Sequence, residues 1–292
     1  ASKAYLDLIY NNQNKNFNLS NVDLFERQVE SDGARAQKGE ITLTDLAQSE
    51  SSLAGANAKL IAAETELITA NAEFERITKA KIPSNPLKPN ELKLNLPNSL
   101  NEAINIAKKD NPQLIIAKIN YEISKRNLEI EKASLSPKAS LNYSRSENDD
   151  FSASVDEIDE ESLKATITWP LIKGGKNYSS IKKSKFEKEQ NKLILEDVEN
   201  EVKTKTANFW SKYQSSKSIL ISTASQLKAA EIANEGITLE YDSGDSRTTL
   251  EVIQSRSLLL DARIAHAKSE RDFIISQFEL LAQLGGLSIN IF

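Results

Sequence analysis

The sequence predicts a mainly α protein with a small β part, in which long antiparallel coiled-coil helical hairpins carry a single pair of strands. Three observations point there. Apolar and small residues recur at alternating spacings of three and four over tens of residues, which is the seam of a coiled coil. Only two short stretches, Lys138–Ser146 and Ser162–Trp169, change to strict alternation, the pattern of a strand with one apolar face. Composition agrees: nine glycines in 292 residues, with 27% charged and 39% hydrophobic residues, leave little to interrupt a helix.

The elements follow in order, in five regions. Region 1–80 holds two helices, from Ala1 to about Gln37 and from Thr42 to about Lys79, separated at Gly39, a residue suited to a helix end. In the second helix Leu46, Leu53, Leu60, Leu67 and Phe74 fall every seven residues, and Ser49, Ala56, Ala63, Ala70 and Ile77 form a companion row. Small residues on that row let a neighbouring helix approach closely. Region 81–110 begins as an irregular connector, because Pro83, Pro86 and Pro97 are incompatible with a continuous helix, and ends in a short helix, Ser99–Lys109. Region 111–136 is a helix from Pro112 to about Leu135, stopped by Pro137. Region 137–172 contains the strand pair, with an acidic stretch, Glu147–Glu161, between the strands. Region 173–292 is a second long hairpin. Its first helix runs from about Asn177 to Tyr241 without a proline, about 100 Å at ~1.5 Å per residue. The turn is at Gly244, and the return helix, Thr248 to about Leu284, ends at Gly285-Gly286.

Alternation places Ala139, Leu141, Tyr143, Leu163, Ala165, Ile167 and Trp169 on one face of the strands and Ser140, Asn142, Lys164, Thr166 and Thr168 on the other. No apolar run approaches the ~18 residues of a membrane-spanning helix; Leu114–Ala117 and Leu258–Leu260 are the richest. A membrane crossing therefore falls to strands, since only helices and closed barrels satisfy the backbone in lipid. The chain has no methionine and opens inside a helical pattern at Ala1, so it reads as a piece of a longer chain, and the absence of a secretory signal says nothing about location.

Several function classes lose support. A net charge of −5 gives no footing to a nucleic-acid partner. The lack of cysteine excludes thiol catalysis, disulfides and cysteine-based zinc sites. There is no phosphate-binding glycine loop, no nucleophile–histidine arrangement and no plausible pair of catalytic acids, so no catalytic residue, no cofactor and no metal is expected. The acidic stretch 147–161 has oxygens suited to divalent cations but lacks the spaced ligands and central glycine of a calcium loop. It reads as a solvated loop. His266, the one histidine, sits where Leu60 sits in the first hairpin and reads as a packing residue, as does Trp210.

The same tip occurs twice. Gly39-Glu40-Ile41-Thr42-Leu43-Thr44-Asp45-Leu46-Ala47-Gln48-Ser49 parallels Gly244-Asp245-Ser246-Arg247-Thr248-Thr249-Leu250-Glu251-Val252-Ile253-Gln254-Ser255, with one extra residue in the second turn. A duplicated helical hairpin suggests pseudosymmetric packing around an axis.

Gly39–Leu53, the Pro-Leu-Ile-Lys-Gly-Gly run at 170–175 and the Tyr-Asp-Ser-Gly…Arg-Thr-Thr-Leu-Glu-Val-Ile run at 241–253 resemble the TolC-like outer-membrane efflux protein family. The order of elements resembles it too, over essentially the whole chain. The resemblance implies a homotrimer in which hairpins form an α-barrel tunnel in the periplasm and strand pairs form a twelve-stranded β-barrel among outer-membrane lipid. This chain departs by lacking the family's first strand pair and the start of its first long helix, so its two strands supply half of such a barrel. The implied function is the passive duct of a tripartite efflux pump or type I secretion system, fed by a periplasmic adaptor protein and an inner-membrane pump. The implied location is the bacterial outer membrane, with a periplasmic extension and with the solvated loop 147–161 extracellular.

By the same resemblance the tips close the pore at its periplasmic end. Thr44 and Asp45 lie at one tip and Tyr241, Arg247, Glu251 and Gln254 at the other. Asp45 and Glu251 would form acidic rings, Gln254 stands where a second acid often occurs, and Arg247 and Tyr241 would tie neighbouring hairpins shut. Rings of carboxylates around a narrow opening favour cations. The plainer alternatives are that Asp45 caps a helix and that Glu251 lies on a solvated face. Leu141, Tyr143, Leu163, Ile167 and Trp169 would face lipid, with Tyr143 and Trp169 in an aromatic belt. The competing class is a soluble coiled-coil scaffold or adaptor without transport function, which has no need of the alternating strands.

Overall fold

The computed structural model describes residues 1–83, 94–152, 155–171, 174–243 and 247–287, with backbone alone for 148–152 and 155–158. Pro86, Ile172, Lys173 and the Gly244-Asp245-Ser246 turn lie outside the described residues. The element order is α1 (Ser2–Gln37), α2 (Leu43–Thr78), α3 (Leu100–Asp110), α4 (Pro112–Ala133), β1 (Lys138–Ser152), β2 (Val155–Thr168), α5 (Lys176–Asp242) and α6 (Thr249–Leu284). The chain divides into two compact units, Ala1–Ala107 with Lys205–Phe292, and Lys108–Thr204.

In the first unit α1 and α2 form an antiparallel hairpin. The heptad rows meet as the sequence predicts: Val22, Phe25 and Ala56 make one buried cluster with Leu53, Leu60 and Ile253 against it, and Ala4, Leu8 and Phe74 make another with Tyr5 and Leu67. Ser49, Ala56 and Ala63 of the companion row are buried, because a small side chain there lets the helices close. α1 ends in paired reverse bonds. Gly39 at φ 75° donates to the Ala36 carbonyl (3.0 Å) and Glu40 donates to that of Arg35 (2.9 Å), a glycine-dependent stop that satisfies the last carbonyls. Gly285, at φ 79°, ends α6 in the same way.

The second hairpin's seam is more polar. Within this unit α6 runs antiparallel to α5, with hydroxyl pairs Ser216–Ser276 (2.7 Å) and Thr223–Ser269 (2.7 Å) and a stacked Tyr213–Phe273 pair at 5.9 Å. α6 also ties to α1: Arg256 donates to the Leu24 carbonyl (3.2 Å), and Arg271 lies 3.4 Å from Asp7 and 5.0 Å above the Tyr10 ring. His266 packs in this seam, near Thr223 (3.5 Å) and Glu270 (3.7 Å).

In the second unit Asn111 caps α4, its side chain accepting from the Leu114 amide at 3.1 Å, with Pro112 at the first helical position, where its missing N–H costs nothing. β1 and β2 form a two-stranded antiparallel sheet. In register, Ala139 faces Ile167, Leu141 faces Ala165 and Tyr143 faces Leu163. Gly174 and Gly175, both at positive φ, precede α5, which continues for 67 residues from this unit into the first.

One expectation is corrected. The stretch 147–161 is not simply a loop: β1 extends to Ser152 and β2 begins at Val155, with pairing through Glu147↔Asp159, Asn148↔Ile158 and Asp149↔Glu157 before an irregularity near the turn. Ladder bonds join backbone groups and are indifferent to side-chain polarity. A ribbon that starts on apolar pairs can therefore continue through charged ones.

Candidate functional site

Each tip is built by a helix start that uses its own acid. Thr42 precedes α2, and its hydroxyl accepts from the Asp45 amide (3.2 Å); the Asp45 carboxylate accepts from the Thr42 amide (3.0 Å) and hydroxyl (2.7 Å). Thr248 and Glu251 repeat this box at the start of α6: the Glu251 carboxylate accepts from the Thr248 amide at 2.8 Å, and the Thr248 hydroxyl accepts from the Glu251 amide at 3.3 Å. These reciprocal pairs satisfy amides that a helix start leaves free. They hold both carboxyls below their ordinary range, Asp45 through the Thr42 hydroxyl and then its amide, and Glu251 through the Thr248 amide, then Arg247 and the Thr248 hydroxyl. Both acids stay ionised and in contact with solvent. Thr44 and Gln254 are exposed beside them.

Arg247 turns to its own hairpin. Its Nε donates to Glu240 at 2.5 Å and its Nη1 to Glu251 at 3.0 Å, clamping the end of α5 to the start of α6 across the turn. Those two acceptors raise its pKa further.

Tyr241 does the opposite: it leaves its hairpin and enters the other. The residue is 6% exposed, and its ring lies under the Arg35 guanidinium at 4.7 Å. Its hydroxyl donates to Asp32 Oδ1 at 2.9 Å and meets the Thr249 hydroxyl at 3.1 Å. Asp32 is fully buried; it also accepts from Ser49 Oγ (2.5 Å) and from Gln28 Nε2 (2.9 and 3.0 Å). One carboxylate thus gathers donors from α1, α2 and α5, and through Tyr241 reaches α6. Burial, countered in part by the Thr249 hydrogen bond, raises the Tyr241 phenol pKa, and Asp32 adds to the rise, so the phenol remains a donor.

Sequence reasoning missed Asp32. Asn18, Phe25 and Asp32 fall seven residues apart, which puts an acid on a core row, opposite the small Ser49 of the facing helix. An acid at such a position has to be met by donors, and that signal was available.

The five predicted lipid-facing residues, Leu141, Tyr143, Leu163, Ile167 and Trp169, all have more than half of their surface exposed. The Trp169 indole N–H donates to the Leu135 carbonyl at 3.2 Å. Among the described residues no acidic or histidine cluster suited to a metal occurs, and no helix is long and apolar enough to cross a membrane.

Duplicated coiled-coil hairpins with matching capped tips, joined through a β-ribbon with one apolar face, define a helical-tunnel class of membrane protein. Residues 103–286 match the model of the outer membrane efflux protein family; the chain belongs to that family and is an outer-membrane protein. It is 26% identical over 291 residues to the outer membrane efflux protein BepC of Brucella suis, covering 99% of this chain and 63% of that one. It is 23% identical over 295 residues to the outer membrane protein TolC of Vibrio cholerae, covering 99% and 67%. The crystal structure of the outer membrane protein VceC of Vibrio cholerae superposes with a TM-score of 0.77 at 17% identity, over 98% of this chain and 68% of that one, which shows a shared fold.

Proposed function

We propose that this chain is part of a passive outer-membrane duct that carries substrates from the periplasm, or from an inner-membrane pump, to the exterior. Three copies would surround the pore, a periplasmic adaptor protein would join them to the pump, and the duct would do no chemistry. The observation that supports this most directly is the pair of capped tips joined through Asp32 and Tyr241, in a chain that belongs to the efflux family. In this reading the tips are the periplasmic gate. Asp45 and Glu251, kept ionised by their caps, supply its negative charge, with Thr44 and Gln254 beside them. Arg247 braces the second tip, and Tyr241 holds that tip against the first hairpin. Leu141, Tyr143, Leu163, Ile167 and Trp169 face lipid.

Planar-bilayer recording of the complete native-length protein tests the proposal. Arg247→Ser and Tyr241→Phe are expected to raise single-channel conductance by loosening the closed tip. Asp45→Asn with Glu251→Gln is expected to weaken cation selectivity and block by multivalent cations, because carboxylate rings concentrate cations. Unchanged conductance and selectivity in all of these would place the gate elsewhere.

A further inference from the structure

We infer that the cross-strand pair Arg145–Glu161 marks the level at which the β-ribbon leaves the outer leaflet, and that the paired ribbon beyond it stands in external water as a stiff extension of the barrel wall. This rests on the lipid-facing reading above and adds where the lipid contact stops.

The register carries the argument. On the outward face the pairs run Ala139↔Ile167, Leu141↔Ala165 and Tyr143↔Leu163, then change at one step to Arg145↔Glu161 and Glu147↔Asp159. The inward face is polar as far as Ser146↔Glu160: Lys138↔Thr168, Ser140↔Thr166, Asn142↔Lys164, Ser144↔Ser162 and Ser146↔Glu160, with the two serine hydroxyls 2.9 Å apart; Ile158, opposite Asn148, is the first apolar residue on it. The ribbon therefore has one face fit for lipid only up to Tyr143 and Leu163. Past that row the outward pairs are all charged as far as Asp149↔Glu157, and Arg145 is ion-paired with Glu147 and, at 3.8 Å, with Glu161.

The apolar band also has marked ends. Trp169, whose indole N–H is held by the Leu135 carbonyl, stands at one end and Tyr143 at the other; both are side chains suited to a lipid–water boundary. Along the strand they span six residue steps, about 20 Å at ~3.4 Å each, which the ~35–45° tilt of barrel strands reduces to roughly 15 Å along the membrane normal. That is well short of the ~25 Å apolar band of outer-membrane barrels, so the boundary has no room to lie below Tyr143, and the charged pairs that begin at Arg145↔Glu161 bar it from lying beyond them. Pairing nevertheless continues past Arg145 to Ser152↔Val155, roughly a further 20 Å of ribbon.

Single cysteines in a cysteine-free, native-length protein, probed in intact cells with a membrane-impermeant maleimide, test this. Glu147→Cys and Asp159→Cys are expected to label readily, and Leu141→Cys and Ala165→Cys at least about tenfold more slowly, because lipid excludes a charged reagent. Protection of Glu147→Cys and Asp159→Cys would move the boundary outward and overturn the inference; equal labelling of all four would remove the band and do the same. Labelling at no position until the outer membrane is permeabilised, and then equally at all four, would mean the ribbon is not in that membrane and would overturn the duct reading as well. A second measurement avoids labelling. Glu147→Arg is expected to leave the amount of trimer recovered from the outer membrane at the wild-type level and Leu163→Arg to lower it several-fold; equal recovery of the two overturns the inference.

Discussion

Tyr241→Phe isolates the contact between the two hairpins. The substitution keeps the ring under Arg35 and deletes only the hydroxyl that donates to Asp32 at 2.9 Å and meets Thr249 at 3.1 Å. A hydrogen bond to a charged acceptor contributes about 1.5–3 kcal/mol. Asp32 keeps its bonds from Gln28 and Ser49, so its charge is not orphaned and the loss should stay within that range. At 1.4 kcal/mol per factor of ten, local opening of the hairpin contact should become roughly 10- to 150-fold more frequent. Hydrogen exchange on the complete native-length protein reads this at residues 28–37 and 236–242, and the distant α1–α6 contact around Tyr10 and Arg271 serves as an internal control. Asp32→Asn should be more severe. Its amide offers one acceptor oxygen and two donor hydrogens to three side chains that all donate, leaving donors unsatisfied in a buried site. Exchange changed less than about twofold in Tyr241→Phe would refute the reasoning, since the phenol would then contribute no more than a solvated contact.

Thr42→Ala and Thr248→Ala each remove half of a capping box and should cost about 1 kcal/mol of local stability, visible as faster exchange confined to the first turns of α2 and α6; no change would mean that the acids cap alone. Asp45 and Glu251 both have depressed folded-state pKa values, so their contribution is present above the ordinary carboxylate range and is lost as pH falls through the lower, folded values. First-turn exchange, corrected for its intrinsic pH dependence, should therefore accelerate only below about pH 4, and acceleration already near neutrality would contradict this. Ala63→Leu adds volume to the buried small-residue row of α2 and should destabilise by about 1–3 kcal/mol, measured by thermal unfolding; an unshifted transition would mean that the α1–α2 seam has slack.

Much of the fold was legible in advance because it is repetitive. A seven-residue period sustained from Leu46 to Phe74 leaves a helix one face to bury, and Gly39, Pro112 and Gly285 stop or start helices through backbone restrictions that act locally. The capping boxes are local as well: Thr42 with Asp45 and Thr248 with Glu251 lie three residues apart, so the sequence alone determines that they can bond. The length of the strands was less legible. Alternation in Ala139–Tyr143 and Leu163–Trp169 revealed where the ribbon has an apolar side, but backbone pairing carried it on to Ser152 and Val155, through acidic residues that hid the continuation even though Phe151, Ala153 and Val155 alternate with serines.

The sequence by itself determined the helices, their stops, the duplicated tips and the two faces of the strands, since each follows from bonds or periods within one element. Only the tertiary structure decided which residues those tips use on each other. It directed Tyr241 to Asp32, 209 positions away, and Arg247 to Glu240 and Glu251 on its own hairpin. Such pairings depend on how four helices are rotated against one another, and helix rotation is set by the fit of many small and large side chains along the seams, a sum that no single motif contains.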